Sequence, residues 1–140
     1  MGYDAYGGGT LKIRKDKFKS LIDAAIKFDD SMNEELEKAG NGLEDKLSRV
    51  FRLYGYELGF DHDGDVCDVS REYERFSDDD DFFIAITPYV EYCSIDYTGE
   101  DDAHWRYVIR NGEFHEYNGV LIFPDDPEEH DTLLNYISNL

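Results

Sequence analysis

Three dipeptides constrain this chain more than any other feature: Asp63-Gly64, Asn111-Gly112 and Asn118-Gly119. Asn, Asp and Gly tolerate positive φ, which a two-residue β-hairpin turn requires. Each dipeptide is flanked by strand-like sequence. Before the first, Tyr56, Leu58 and Phe60 alternate with Glu57, Gly59 and Asp61. Before the second, Trp105, Tyr107 and Ile109 alternate with His104, Arg106, Val108 and Arg110; Cys93, Ile95 and Tyr97 alternate in the same way upstream. After the third comes Val120-Leu121-Ile122-Phe123. Turns this tight join neighbouring antiparallel strands, so the sheet is expected to be antiparallel.

Helical periodicity occupies the intervals. Phe18, Leu21, Ile22, Ala25 and Ile26 form one apolar stripe after Asp16. Ser31 and Glu34 have capping-box spacing, which predicts a short second helix ending near Gly40. Leu43, Leu47, Val50, Phe51 and Tyr54 give a third helix, with Gly55 at its C-cap. Asp78–Asp81 open a fourth, which Pro88 should end near Ile86. Asp126-Pro127-Glu128-Glu129 start a last one, with Leu133, Leu134, Ile137 and Leu140 on its apolar face. With an opening strand from Tyr3 to Arg14, in which Gly7-Gly8-Gly9 marks a bulge or bend, the whole predicts a single α+β domain over 1–140. Its antiparallel sheet, a hairpin plus a meander, should carry helices packed mainly on one face.

Charge limits the function. Residues 1–55 hold ten basic and ten acidic side chains and sum to zero, so the net charge of −19 lies in 56–140. Such a field repels nucleic acid and anionic membrane and attracts basic protein surfaces. Hydrophobic residues at 41% and aromatics at 15% place the chain among folded proteins despite that charge. No basic-then-apolar N-terminal run is present, and a cytoplasmic location is expected. Cys67 and Cys93 lack metal-ligand spacing and are expected to be buried free thiols.

The acids fall in four knots: Asp61, Asp63 and Asp65; Asp78, Asp79, Asp80 and Asp81; Glu100, Asp101 and Asp102; and Asp125, Asp126, Glu128 and Glu129. The first resembles a calcium loop in its alternating oxygens, yet its glycine stands at position 4, where a hairpin needs it. The second exceeds what one helix N-terminus uses. Two or three knots on one face would imitate the charge of a duplex and fit a Lys/Arg groove. Asp78–Asp81 and Glu100–Asp102 are the expected partner contact, with Asp61, Asp63 and Asp65 next. The basic run Lys12, Arg14, Lys15, Lys17 and Lys19 is an opposite pole that a second copy could meet as a homodimer.

Catalytic patterns are weak. His62, His104, His115 and His130 are scattered, although His104 and His115 are candidates to approach across the Asn111-Gly112 hairpin. No GxSxG or phosphate-cradling glycine pattern occurs. Arg106 and Arg110 are expected to pair with acids. A binding protein, no enzyme, with neither metal nor cofactor, is the expectation.

The run Gly2-Tyr3-Asp4-Ala5-Tyr6-Gly7-Gly8-Gly9, then Pro88-Tyr89-Val90, Gly99-Glu100-Asp101-Asp102, Trp105-Arg106-Tyr107-Val108 and Asn111-Gly112, resembles uncharacterised small acidic proteins of phages and prophages. The resemblance implies a setting in which small acidic proteins often act as inhibitors of host defence, anti-CRISPR or anti-restriction in type; the acidic knots add nucleic-acid mimicry as the expected mode of action. The alternatives are an interaction domain whose acidity serves solubility, and a calcium-binding module at Asp61–Asp68.

Overall fold

Strand β1 (Tyr3–Ile13) runs through the middle of the sheet and pairs on both sides. The computed structural model describes residues 3–76, 79–120, 122–123 and 125–139. With β2 (Tyr56–Phe60), β3 (Val66–Phe76), β4 (Tyr92–Gly99), β5 (His104–Arg110) and β6 (Glu113–Gly119), it forms six antiparallel strands in the order β2-β3-β1-β4-β5-β6.

The alternation read from the sequence sets the two faces. Leu11, Cys93 and Ile109 form one buried row; Val69, Ile95 and Tyr107 are buried in the next, in which Gly9 pairs with both Val69 and Ile95. A third row runs Tyr56, Arg71, Gly7, Tyr97 and Trp105. A Cβ on Gly7 would lie 2.6 Å from the Asp96 carbonyl oxygen and 3.1 Å from the Tyr97 ring. Glycine there lets the Tyr97 ring lie against β1. Next to it the β1–β3 register shifts between Ala5 and Gly7, the irregularity that the glycine run predicted.

Helices α1 (Phe18–Phe28), α2 (Met32–Glu37), α3 (Leu43–Leu53) and α4 (Asp80–Ile86) bring Phe18, Leu21, Ile22, Leu47, Val50, Phe51, Phe82, Phe83 and Ile86 into the core with these rows. Aromatic edges join the layers where Phe83 meets Tyr56 and Tyr107 at 5.6 Å, and they join α3 to α4 where Phe51 meets Phe82 at 5.5 Å. Burying each such side chain contributes roughly 1.5–3 kcal/mol. The other sheet face leaves Tyr6, Tyr92 and Tyr117 exposed. The α+β architecture with an antiparallel sheet is as the sequence predicts.

Several local expectations change. Ser31 makes no cap bond from its side chain; it has helical φ/ψ, and its hydroxyl donates instead to Asp29 at 2.6 Å. The first hairpin closes with a longer loop, in which the Asp61 amide donates to the Asp65 carbonyl. Asn118 and Gly119 form no turn, because both stay paired in β6 opposite Trp105 and His104. Only four residues separate Gly119 from Pro124, whose missing N–H suits no return strand. Val120 is accordingly 72% exposed, and the chain leads to α5 (Pro127–Ser138), with Leu134 and Ile137 exposed. Leu121 and Leu140 lie outside the described residues.

Cys93 is buried, and burial pushes its thiol up to about 12. Cys67 is only half-buried, a correction to the expected pair of buried thiols. Because β1 separates their strands, they stand about 10 Å apart, beyond disulfide reach. Among the described residues, no helix is long and apolar enough to cross a membrane.

Candidate functional site

Strand direction decides where each acidic knot goes. The sheet has a Tyr3 end, where Tyr3 faces Phe76, Ala5 faces Gly99 and His104 faces Gly119. Its Ile13 end has Ile13 facing Val66 and Arg110 facing Glu113.

The Glu100–Asp102 turn joins β4 to β5 at the Tyr3 end. Asp101 holds it: its carboxylate accepts from the Ala103 amide at 3.1 Å and from the Tyr3 hydroxyl. The Tyr3 hydrogen bond first, then that amide, keep the Asp101 carboxyl below its ordinary value. The Glu100 amide donates to the Asp4 carbonyl at 2.9 Å, and Asp102 takes a left-handed φ of 62°. Glu100 and Asp102 therefore stand exposed on a braced turn.

The second knot follows β3 from the same end and begins α4. Asp78 lies outside the described residues. Asp79 is only 5% exposed and accepts the Tyr56 hydroxyl at 2.9 Å. It is thus withdrawn from any partner surface, because its charge is spent inside the fold. Asp80 is half-buried and Asp81 exposed. The chain also leaves β6 at the Tyr3 end and soon reaches Asp125, Asp126, Glu128 and Glu129. There the Asp126 carboxylate accepts the Glu128 amide at 3.0 Å, a helix-start contact.

Asp61, Asp63 and Asp65 lie at the opposite, Ile13 end. Asp61 accepts the amides of Asp63 at 2.9 Å and Asp65 at 3.1 Å; Asp65 accepts the Lys15 amide at 2.8 Å. This hairpin thus meets the basic run at the Lys15 backbone. The structure does not bring it together with Glu100–Asp102: this knot stands at the opposite end of the sheet.

Sequence reasoning missed an inner polar cluster. The Arg71 guanidinium donates to the Ala5 carbonyl at 2.8 Å and lies over the rings of Tyr56, at 5.6 Å, and Phe76, at 5.3 Å. The Tyr56 and Tyr97 hydroxyls are 2.7 Å apart. Burial is the main cause that raises both tyrosines well above their ordinary values. One signal was present: Arg71 occupies an inward parity position, two residues after Val69.

A cleft of about 480 Å³ on the uncovered face is lined by Asp96, Thr98, His104, Arg106, Tyr117 and Val120 among others. Arg106 grips Asp96 with both Nε and a terminal nitrogen, the latter at 3.1 Å, as expected of an arginine in acidic surroundings. His104 lies 3.2 Å from the Thr98 hydroxyl, while His115 sits opposite Val108, so the two histidines do not meet across the hairpin. Among the described residues, no three His, Cys, Asp or Glu side chains are grouped to hold a metal ion. In comparisons with known proteins, no family model, curated protein or solved structure matches the chain.

Proposed function

We propose that this protein is a small acidic inhibitor of phage type that occupies the basic groove of a nucleic-acid-binding host protein. The contact is the Tyr3 end of the sheet, through Glu100 and Asp102 with Asp80 and Asp81. The observation that carries the reading is the braced turn: Asp101 is used to hold it, and the flanking carboxylates face solvent. A turn braced before binding leaves less backbone to order when its exposed carboxylates meet arginines and lysines. The net charge of −19 adds long-range attraction to a basic surface.

The test is capture of the target from host lysate, followed by elution with salt and with duplex DNA. Displacement by both, and loss of capture with Asp81→Lys/Glu100→Lys/Asp102→Lys in a folded protein, is the expected result. Capture that ignores salt and DNA rejects mimicry and favours an interaction domain whose acidity serves solubility.

A further inference from the structure

Strand β6 is the last of the sheet: β5 covers one edge, and among the described residues no strand covers the other. Beside it α4 presents Ile84, which is 51% exposed. With Thr87, Pro88, Gly112, Glu113, Phe114 and His115 it lines an open groove of about 530 Å³. An unpaired strand edge next to an apolar groove is the geometry by which a peptide is added to a sheet: backbone groups supply the ladder and the groove selects alternate side chains.

We propose that β6 and this groove bind an extended basic segment of a partner protein as a seventh strand. The register states its pattern. Phe114 and Glu116 face the helix layer, being opposite Ile109 and Tyr107, while Glu113 and Tyr117 face the other way. An added strand therefore places an apolar side chain beside Phe114 and Ile84, and Lys or Arg beside Glu113 and Glu116. Opposite charges across neighbouring strands are favourable, and like charges are not. A second copy fits poorly. Antiparallel pairing of β6 with itself centred on Glu116 sets Glu116 against Glu116, and shifting the centre to His115 sets Phe114 against Glu116. Each copy also carries a charge of −19. The glutamates thus guard the edge against self-association while admitting a basic strand. This edge is separate from the carboxylates at the Tyr3 end, and the inference does not rest on them.

The probe is a capped peptide, Thr-Thr-Val-Lys-Thr-Ile-Lys, titrated into the full chain while backbone amides are followed by NMR and hydrogen exchange. Alternate β6 amides should gain protection, and Ile84→Asp should weaken binding about tenfold or more. Replacing both lysines of the probe by glutamate should abolish binding. N-methylation of one alternate set of peptide amides should abolish it too, while the other set is tolerated. Ile84 is exposed, so the substitution leaves the fold in place. No protection of β6 at saturating peptide overturns the proposal. So does equal sensitivity to both methylation sets, or a dimer of the free protein whose β6 amides are already protected.

Discussion

The Tyr56 hydroxyl donates to the Asp79 carboxylate at 2.9 Å and lies 2.7 Å from the Tyr97 hydroxyl. Its single proton goes to the carboxylate, so Tyr97 is the donor between the two phenols. This chain of bonds ties β2, β4 and the start of α4 together inside the core. Tyr56→Phe strips the buried carboxylate of a donor, and stability should fall by about 1–3 kcal/mol. Tyr97→Phe leaves the bond to Asp79 intact and should cost less. Urea denaturation of both variants checks the order, and equal losses would reverse the assigned donor.

The same burial predicts alkaline sensitivity. Tyr56 and Tyr97 are raised well above their ordinary value near 10, Tyr54 to about 12, and Cys93 from 9.0 to about 12. In the unfolded chain these groups lose protons first, so the folded state binds more protons and stability falls as pH rises. The contribution is complete below pH 9, begins to decline at the unfolded values, and is gone once the folded values are passed. Tyrosinate absorbance should show Tyr56 and Tyr97 ionising only as the protein unfolds. The Cys93 thiol should react with a disulfide reagent far more slowly than Cys67. A smooth native titration of all tyrosines would contradict this burial.

Adjacent glycines should respond differently to one methyl group. A Cβ on Gly9 would stand 2.0 Å from the Ser94 carbonyl oxygen, whereas on Gly8 the nearest atom is the Val69 carbonyl oxygen at 3.3 Å. Gly9→Ala forces β1 and β4 apart and should cost about 3 kcal/mol or prevent folding. Gly8→Ala needs only a small shift and should be milder. Thermal melts of the two variants give the ranking.

The Asp61–Asp65 hairpin predicts indifference to calcium. Asp61 is engaged by two amides of its own loop, and Asp65 by the Lys15 amide. Recruiting them to a cation would break bonds that define the turn. Millimolar calcium should leave the melting temperature unchanged, and Asp65→Ala should lower stability by about 1 kcal/mol through the lost Lys15 contact. A calcium-induced rise in melting temperature would restore the cation reading.

Local periodicity made the fold legible. Asn111 and Gly112 do turn the chain, at φ 53° and 75°, as their side chains allow. Asn118-Gly119 carried the same local signal and stayed in a strand, because a turn also needs a following strand with somewhere to pair. The site was less legible for a longer-range reason. In a meander, successive turns alternate between sheet ends, which separates Glu100–Asp102 from Asn111-Gly112 by counting alone. Nothing local says that β1 lies between β3 and β4, and that placement puts the acidic hairpin at the far end from Glu100. The burial of Asp79 is invisible for the same reason. Its partner Tyr56 is two elements away, and a run of aspartates reads alike whether one of them points inward or none does.

Within the acidic turn, neighbouring carboxylates should separate into holding and contacting roles. Asp101 accepts from the Ala103 amide and the Tyr3 hydroxyl, and these bonds depress its pKa. A depressed carboxyl stabilises the fold above its unfolded value, and that stabilisation is lost as pH falls through the folded value. Asp101→Ala should therefore lower the melting temperature at neutral pH, and the deficit should shrink toward acid as the native protein loses the same interaction. Glu100→Lys should do the reverse: leave the melting temperature nearly unchanged, or raise it by relieving repulsion, while weakening capture of a basic-groove target and reducing its salt dependence. Asp102→Lys should weaken capture likewise but lower the melting temperature a little, because lysine adopts a φ of 62° less readily than aspartate. Melting curves across pH, paired with capture assays at two salt concentrations, read both roles. If Glu100→Lys/Asp102→Lys binds like the parent, the contact lies elsewhere on the acidic surface. If Asp101→Ala shows no pH-dependent deficit, the turn is held by its backbone bonds alone.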